Sequence, residues 1–235
     1  MSWSLAGRIT EIATGEKNGP WTGVTFNKGF FYVSEGGELQ GRRILRIGDD
    51  GTKTVLIDNL PTRSDHHTNK PVIGPDGYLY FGQRTYSNSG VVGHDNAEFG
   101  WLKRFPNLHD IPCKDIRLND RNFTTNNPLE THEKKCSPGH SGRLETHVER
   151  RSIRGQVPCS GSVLKLPLGG GPVELVAWGF RNPFGLAFSP EGNLFVTDNS
   201  YGTRGSCPVD GTGDILWEIK SGASYGWPDA GQHGK

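Results

Sequence analysis

A short pattern recurs three times along the chain: an apolar strand, a tight turn containing glycine, and an aromatic-rich strand. The turn glycines are Gly29, Gly77 and Gly192, and the three copies span residues 23–33, 72–81 and 185–196. Glycine adopts the positive φ that such turns need, and the flanking β-branched and aromatic residues are typical of strands. The pattern therefore predicts three β-hairpins of one kind.

A further apolar strand follows each hairpin, and a fourth follows the first two. The third strands are predicted at residues 43–47, 162–166 and 214–219, and the fourth strands at 53–57 and 172–176. Four short antiparallel strands repeating about every 40–50 residues are typical of β-propeller blades, which cover one another's apolar faces. We therefore expect an all-β fold, a β-propeller of four-stranded antiparallel blades. About three blades are present in a single domain spanning residues 1–235, which is expected to be an incomplete propeller with two uncovered blade faces.

A long polar segment, about residues 84–160, interrupts the second blade as a loop-rich insertion. It is rich in Asn, Gly and His and shows little periodicity. Segments of this kind are usually functional or disordered. The part from 91 to 113 is predicted to be ordered by its apolar side chains, namely Phe99, Trp101, Leu102 and Phe105. The charged part from 131 to 154 is predicted to be a flexible or solvated face, and any helix is expected inside the insertion.

Composition narrows the classes of partner. The chain has 34 Gly and 15 Pro among 235 residues, which indicates many turns, and its net charge of +1 favours neither nucleic acid nor an acidic membrane. No apolar run approaches the ~18 residues of a membrane span, and no Gly-rich nucleotide-binding motif occurs. Residues 1–8 lack the basic and apolar regions of a secretory signal. Either the natural N-terminus is missing or the chain stays inside the cell.

Four cysteines raise the alternatives of a metal site or disulfide bonds: Cys113, Cys136, Cys159 and Cys207. No Cys-x-x-Cys pair occurs, and the spacing from Cys136 to His140 is one residue too long for haem attachment. A metal site on these cysteines is therefore disfavoured. One or two disulfides are expected if the protein is exported.

Two polar motifs carry the candidate chemistry. The first, Trp-Gly-Phe-Arg-Asn-Pro-Phe-Gly at 178–185, places Arg181 and Asn182 where the chain enters the third hairpin, with Pro183 holding Asn182 extended. A guanidinium beside an amide suits the carboxylates and carbonyls of a planar polar ligand. The alternative is that both side chains only tie the corner of a blade together.

The second motif, Ser-Asp-His-His-Thr-Asn at 64–69, precedes the second hairpin. Histidine titrates near neutral pH, so His66 or His67 is a candidate proton acceptor, and Asp65 beside them is placed to orient an imidazole or raise its basicity. The alternative is a turn with solvent-exposed imidazoles.

The stretches at 178–199, 214–219 and 225–229 resemble the glucose/sorbosone dehydrogenase family in their residues, order and spacing. The likeness runs from about Trp21 to Asp229. These proteins are β-propeller quinoproteins that oxidise sugars with pyrroloquinoline quinone (PQQ) and calcium. The resemblance implies an oxidoreductase that passes hydride from an aldose or a sorbosone-like sugar to PQQ, and an external electron acceptor. Family members are typically periplasmic or extracellular. A truncated gene, a fragment of a longer protein, or assembly with a second chain or copy would each account for the family's further blades.

The resemblance also assigns roles. His66 matches the general base, with His67 as the second choice, and Arg181 and Asn182 match the residues that contact the quinone oxygens. The main-chain carbonyls of the residues at the next corner, Ser200 and Tyr201, match the ligands of the cofactor's calcium.

One position departs from the family pattern. Phe184 stands where well-known sugar oxidases of the family carry Gln, which removes one hydrogen bond to the cofactor. The competing interpretations are a non-catalytic propeller module that binds carbohydrate or protein, and an inactive truncated dehydrogenase fragment.

Overall fold

The computed structural model describes residues 10–15, 19–36, 42–61, 67–98, 100–118, 122–126, 134–138, 145 and 151–228. Within these residues the chain is almost entirely strand and turn, with two short helices, so the all-β prediction is confirmed.

The strands are β1 (Trp21–Asn27), β2 (Phe30–Glu35), β3 (Arg43–Gly48), β4 (Lys53–Ile57), β5 (Val72–Ile73), β6 (Tyr78–Gln83), β7 (Ile116–Arg117), β8 (Asn122–Asn126), β9 (Lys134–Pro138), β10 (Ser152–Ile153), β11 (Ser162–Pro167), β12 (Glu174–Trp178), β13 (Pro183–Phe188), β14 (Leu194–Asp198) and β15 (Ile215–Glu218). The helices are α1 (His94–Glu98) and α2 (Trp101–Arg104). Both helices lie in the insertion, where helix was expected. They have five and four residues, and no helix in the described part of the chain is long and apolar enough to cross a membrane.

The first sheet is an antiparallel meander in the order β1-β2-β3-β4. Asn27 pairs with Phe30, so the first hairpin turns through two residues, Lys28 and Gly29, with φ of 47° and 85°. Positive φ at both central positions matches the right-handed twist of the flanking strands. The glycine predicted at this turn is therefore used for its backbone conformation.

The second sheet has the order β5-β6-β11-β12 and is antiparallel throughout. The chain leaves this sheet at Gln83 and returns at Ser162, and these two residues are direct partners in the ladder. The insertion therefore begins and ends at adjacent ends of the two central strands, β6 and β11, and leaves the four-stranded sheet intact.

The third sheet contains β13, β14 and β15 in that order. A fourth strand is not present in the part described through residue 228, so two of the three sheets have the predicted four strands. Gly82 of β6 lies so close to the main-chain carbonyl of Pro183 in β13 that a side chain at position 82 has no room. The second and third sheets thus approach each other at the start of β13.

Two apolar cores hold the three sheets together, because alternate residues of a strand face opposite sides of its sheet. On β6, Leu79 and Phe81 join the core shared with the first sheet, and Tyr80 joins the core shared with the third. On β11, Leu164 joins the core shared with the first sheet, and Val163 joins the core shared with the third. The middle sheet is therefore covered on both faces, as expected of a propeller blade between two neighbours.

The insertion has its own small core, made of Tyr86, Val92, Trp101, Leu102 and Leu108, with Phe105 packed against it. This agrees with the prediction that residues 91–113 are ordered, although Phe99 lies outside the described residues. Most of the charged part, 131–154, also lies outside them.

A disulfide, Cys113–Cys159, joins the segment between α2 and β7 to the end of the insertion, and Cys207 is a free thiol.

Candidate functional site

The Arg-Asn-Pro corner is held by one carboxylate. The main-chain N–H of Asn182 donates to Oδ1 of Asp198 at 2.6 Å, and that of Arg181 donates to Oδ2 at 3.3 Å. Asp198 is the last residue of β14 and pairs with Pro183 at the start of β13. Its side chain therefore accepts the two amide groups that precede the hairpin and fixes the backbone of this corner.

Burial raises the pKa of Asp198 to about 6, because the charged carboxylate is poorly solvated there. The hydrogen bonds from Asn182 and Arg181 and the positive charge of Arg181 oppose this rise, whereas the negative charge of Asp214 adds to it. The raised pKa therefore belongs to the carboxyl group that holds the main chain of the two candidate cofactor ligands, Arg181 and Asn182.

The guanidinium of Arg181 is buried against the insertion. Only 7% of this residue is exposed, and its Nε donates to the main-chain oxygen of Asn88 at 3.2 Å and to its Oδ1 at 3.1 Å. The side chain of Asn88 also bonds to both the N–H and the carbonyl of Gly202, at 2.8 and 2.6 Å. Asn88 thus links Arg181 to the loop that follows β14.

The side-chain amide of Asn182 is engaged inside the protein at both ends. Its Oδ1 accepts from Nδ2 of Asn69 at 3.1 Å, and its Nδ2 donates to Oδ1 of Asn199. Only 1% of Asn182 is exposed. These contacts support the interpretation in which Asn182 ties the corner together, while its contact with a cofactor stays a prediction.

The motif at 64–69 meets this corner through its last residue. Nδ2 of Asn69 lies within hydrogen-bonding distance of Oδ1 of Asn182, 113 residues further along the chain, and donates to the carbonyl of Pro183 at 2.8 Å. Asp65 and His66, the predicted catalytic pair, lie outside the described residues. The structure therefore shows a contact between the two motifs but does not describe the imidazole of His66, the predicted general base.

The second-choice base, His67, is described and partly buried. Its ring packs beside Gly36, where an added Cβ would be 2.8 Å from the Cβ of His67. Glycine at position 36 therefore leaves room for the imidazole.

The corner after β14 presents oxygen atoms. Oδ1 of Asp214 accepts from the main-chain N–H of Ser200 at 2.8 Å, and its Oδ2 accepts from Nδ2 of Asn199 at 3.1 Å. The bond from Ser200, with that from Asn199, lowers the pKa of Asp214. The phenol of Tyr201 donates to the carbonyl of Pro228 at 3.4 Å.

Carboxylate and main-chain carbonyl oxygens are the ligand type that Ca²⁺ prefers, so Asp214 and the carbonyl groups of Ser200 and Tyr201 are donors of a kind that fits a hard cation. In the described part of the chain, however, no three His, Cys, Asp or Glu residues are grouped to hold a metal. Calcium at Ser200 and Tyr201 therefore stays a prediction.

A cavity of about 40 Å³ lies between Arg181, Ser200, Tyr201, Trp217 and Trp227. Pockets for organic ligands generally exceed roughly 300 Å³. The described residues around this cavity therefore do not by themselves enclose a tricyclic quinone.

Three residues of this region were not predicted from the sequence. Asp198 and Asp214 stand in the stretches on which the family resemblance rests, so their position gave a signal. Asn88 lies in the insertion, outside every repeat, and nothing in the sequence marked it.

Comparison with protein-family models gives no match. Among curated proteins, quinoprotein glucose dehydrogenase B of Acinetobacter calcoaceticus is 26% identical over 175 residues, which is 74% of this chain. The chain spans only 28% of the length of that relative.

Two solved structures align with 94% of the chain: the PQQ-bound aldose sugar dehydrogenase of Streptomyces coelicolor, and an oxidoreductase of Thermus thermophilus described as a glucose dehydrogenase. Their identities are 17% and 18%, they are covered over 66% and 68% of their lengths, and the TM-scores are 0.33 and 0.32. Such low TM-scores carry no weight for the fold. The sequence match over three quarters of the chain confirms that it resembles the quinoprotein sugar dehydrogenases, as its motifs indicate.

Proposed function

We propose that this chain forms part of a quinoprotein oxidoreductase that oxidises an aldose or a sorbosone-like sugar. The observation that carries the proposal is the 3.1 Å contact between Asn69 and Asn182. It joins the segment of the predicted proton acceptor to the corner of the predicted cofactor ligands, although the two are far apart in sequence. The similarity to a quinoprotein glucose dehydrogenase supports the same conclusion.

In this proposal His66 takes the proton of the substrate hydroxyl, and Asp65 orients its imidazole. Arg181, a buried positive charge whose Nε donates to Asn88, would contact the quinone oxygens of the cofactor. PQQ with calcium would supply the electron-accepting quinone at this site, and an external acceptor would then receive the electrons. Completion of the site by further blades, from this gene or from a second chain, belongs to the same proposal.

The test uses the product of the complete gene that contains this chain, incubated with PQQ and calcium. His66→Gln is expected to lower dye-linked sugar oxidation by about 10²–10⁴-fold with PQQ affinity nearly unchanged, because loss of a general base affects the chemical step. Arg181→Ala is expected to lower both PQQ affinity and turnover, since a charge-assisted contact is lost in the ground and transition states alike. Calcium chelation is expected to resemble Arg181→Ala.

His94→Gln, an exposed histidine on α1, is the matched control and is expected to behave as wild type. His67→Gln separates the two candidate bases, because loss of turnover in this variant alone moves the proton acceptor to His67. Arg181→Lys keeps the positive charge, and circular dichroism of both Arg181 variants checks that they retain their fold. The proposal is contradicted if the protein binds no PQQ, or if His66→Gln and His67→Gln both keep full activity.

A non-catalytic carbohydrate-binding module is the second candidate, and the exposure of Phe184 favours it. This residue is 56% exposed at the start of β13, two residues after Asn182. An exposed aromatic face suits contact with a sugar ring. Sugar binding that is lost in Phe184→Ala, with no oxidation by the PQQ-treated wild type, would select this function.

A further inference from the structure

A second cavity, of about 590 Å³, lies between the first sheet and the insertion. Arg42 and Asn59, which flank the start of β3 and follow β4, line one side. Tyr86 and residues 104–109 of the insertion line another side, and the chain just before β11, residues 156–158, completes it. Its volume falls in the range of about 300–1,000 Å³ typical of small-molecule sites. None of its lining residues belongs to the site proposed above.

Two arginines, Arg42 and Arg104, line this cavity, and no Asp or Glu is among its lining residues in the part of the chain that the structure describes. Arginine forks match the geometry of carboxylate and phosphate oxygens. The rest of the wall is mixed, with apolar side chains such as Phe105 and Leu108 beside the amides of Asn59, Asn107 and Gln156. The lining therefore suits an anion with an apolar or aromatic body.

Backbone strain is concentrated at one wall of the cavity. Arg42 and Asn59 have φ of 62° and 59°, and the remaining non-glycine residue with positive φ in the described part, Lys28, lies in a hairpin turn that requires it. A non-glycine residue in this conformation is strained and persists where its surroundings enforce it. Here Leu60 N–H donates to the carbonyl of Arg42 at 2.9 Å, and Nη2 of Arg42 donates to Oδ1 of Asn59 at 3.1 Å.

Hydrogen bonds and a disulfide tie together the parts of the chain that form or adjoin the other walls. Gln156 N–H donates to the carbonyl of Pro112 at 3.0 Å beside the Cys113–Cys159 disulfide. The carboxylate of Asp110 accepts from the N–H of Tyr86 at 2.6 Å. Walls fixed before the ligand arrives reduce the ordering cost of binding.

We propose that this cavity is a binding site for a small organic anion, a carboxylate or a phosphate, distinct from the site for sugar oxidation. Arg42 and Arg104 contact the anionic oxygens, and Phe105 packs against the apolar body.

The test is calorimetric titration of the purified protein with benzoate and with phenyl phosphate, which share an aromatic body and differ in the anion. Benzyl alcohol is the neutral comparison and inorganic phosphate the anion without a body. One of the two aromatic anions is expected to saturate one site. Benzyl alcohol and inorganic phosphate are each expected to bind at least about tenfold more weakly than that anion. Arg104→Gln and Arg42→Gln are each expected to lower affinity for the preferred anion by about tenfold or more, since a hydrogen bond to a charged group is lost.

Lys103→Gln is the matched control, because Lys103 is an exposed cation on the same helix that does not line the cavity. It is expected to bind as wild type. The proposal is overturned if neither aromatic anion binds saturably, if benzyl alcohol binds equally well, or if Arg104→Gln binds as tightly as Lys103→Gln. Melting curves of the variants separate lost binding from lost folding, and Arg104, an exposed residue, provides the test if Arg42→Gln fails to fold.

Discussion

At the scale of single residues, Asp198 is the group whose protonation governs the corner before β13. Burial raises its pKa from 3.8 to about 6 in the folded chain. Between these two pH values the folded protein holds a proton that the unfolded chain has released. The contribution of Asp198 to the free energy of unfolding is therefore present below about pH 4 and is lost as the pH rises through about 6.

Asp198→Asn removes this titration while keeping the shape of the side chain. The free energy of unfolding of wild type minus that of Asp198→Asn is expected to fall by about 1–3 kcal/mol between pH 4 and pH 7, since one pKa unit corresponds to about 1.4 kcal/mol. Urea unfolding of both proteins across this range measures the difference. Other acidic groups are common to both proteins, so parallel curves would show that Asp198 has an ordinary pKa.

At the scale of elements, the insertion depends on the Cys113–Cys159 disulfide, which closes a loop of 46 residues. In the chain-entropy account, a cross-link of this span stabilises the folded state by up to about 4 kcal/mol. Replacing both cysteines by alanine is expected to lower the free energy of unfolding by about 2–4 kcal/mol in urea melts. Cys207→Ala, at the free thiol, is the control and is expected to change it by less than about 0.5 kcal/mol. Equal stability of the two variants would contradict the prediction.

The sequence predicted the hairpins because each carries its signal locally, in a turn glycine between apolar strands. Gly29, Gly77 and Gly192 all have the positive φ expected of them, from 78° to 89°. The pairing of Ser162 with Gln83 was predictable only from the repeat, since 78 residues separate them. The contacts of the insertion were not predictable, because the bond from Arg181 to Asn88 joins segments that share no periodicity.

At the scale of the whole molecule, the two outer sheets expose apolar side chains. The first sheet exposes Val24, Phe26 and Val55, and the third exposes Ile215 and Leu216 on β15. The sequence repeat predicts that neighbouring blades cover each other. It does not predict what covers the outer faces of these two sheets. Exposed apolar side chains on an outer sheet favour association.

The chain expressed alone is therefore expected to self-associate through its outer sheets. Phe26 is 58% exposed and Leu216 is 66% exposed, so neither needs its side chain for the internal core. Phe26→Lys and Leu216→Lys are each expected to shift the protein toward monomer in sedimentation velocity over a concentration series, because a charge on each apolar face opposes its burial. Thr54→Lys, which adds the same charge at an exposed polar position of β4, is the control and is expected to leave the distribution unchanged. A wild-type chain that sediments as a monomer at every concentration would show that these faces are too small or too dispersed to drive association.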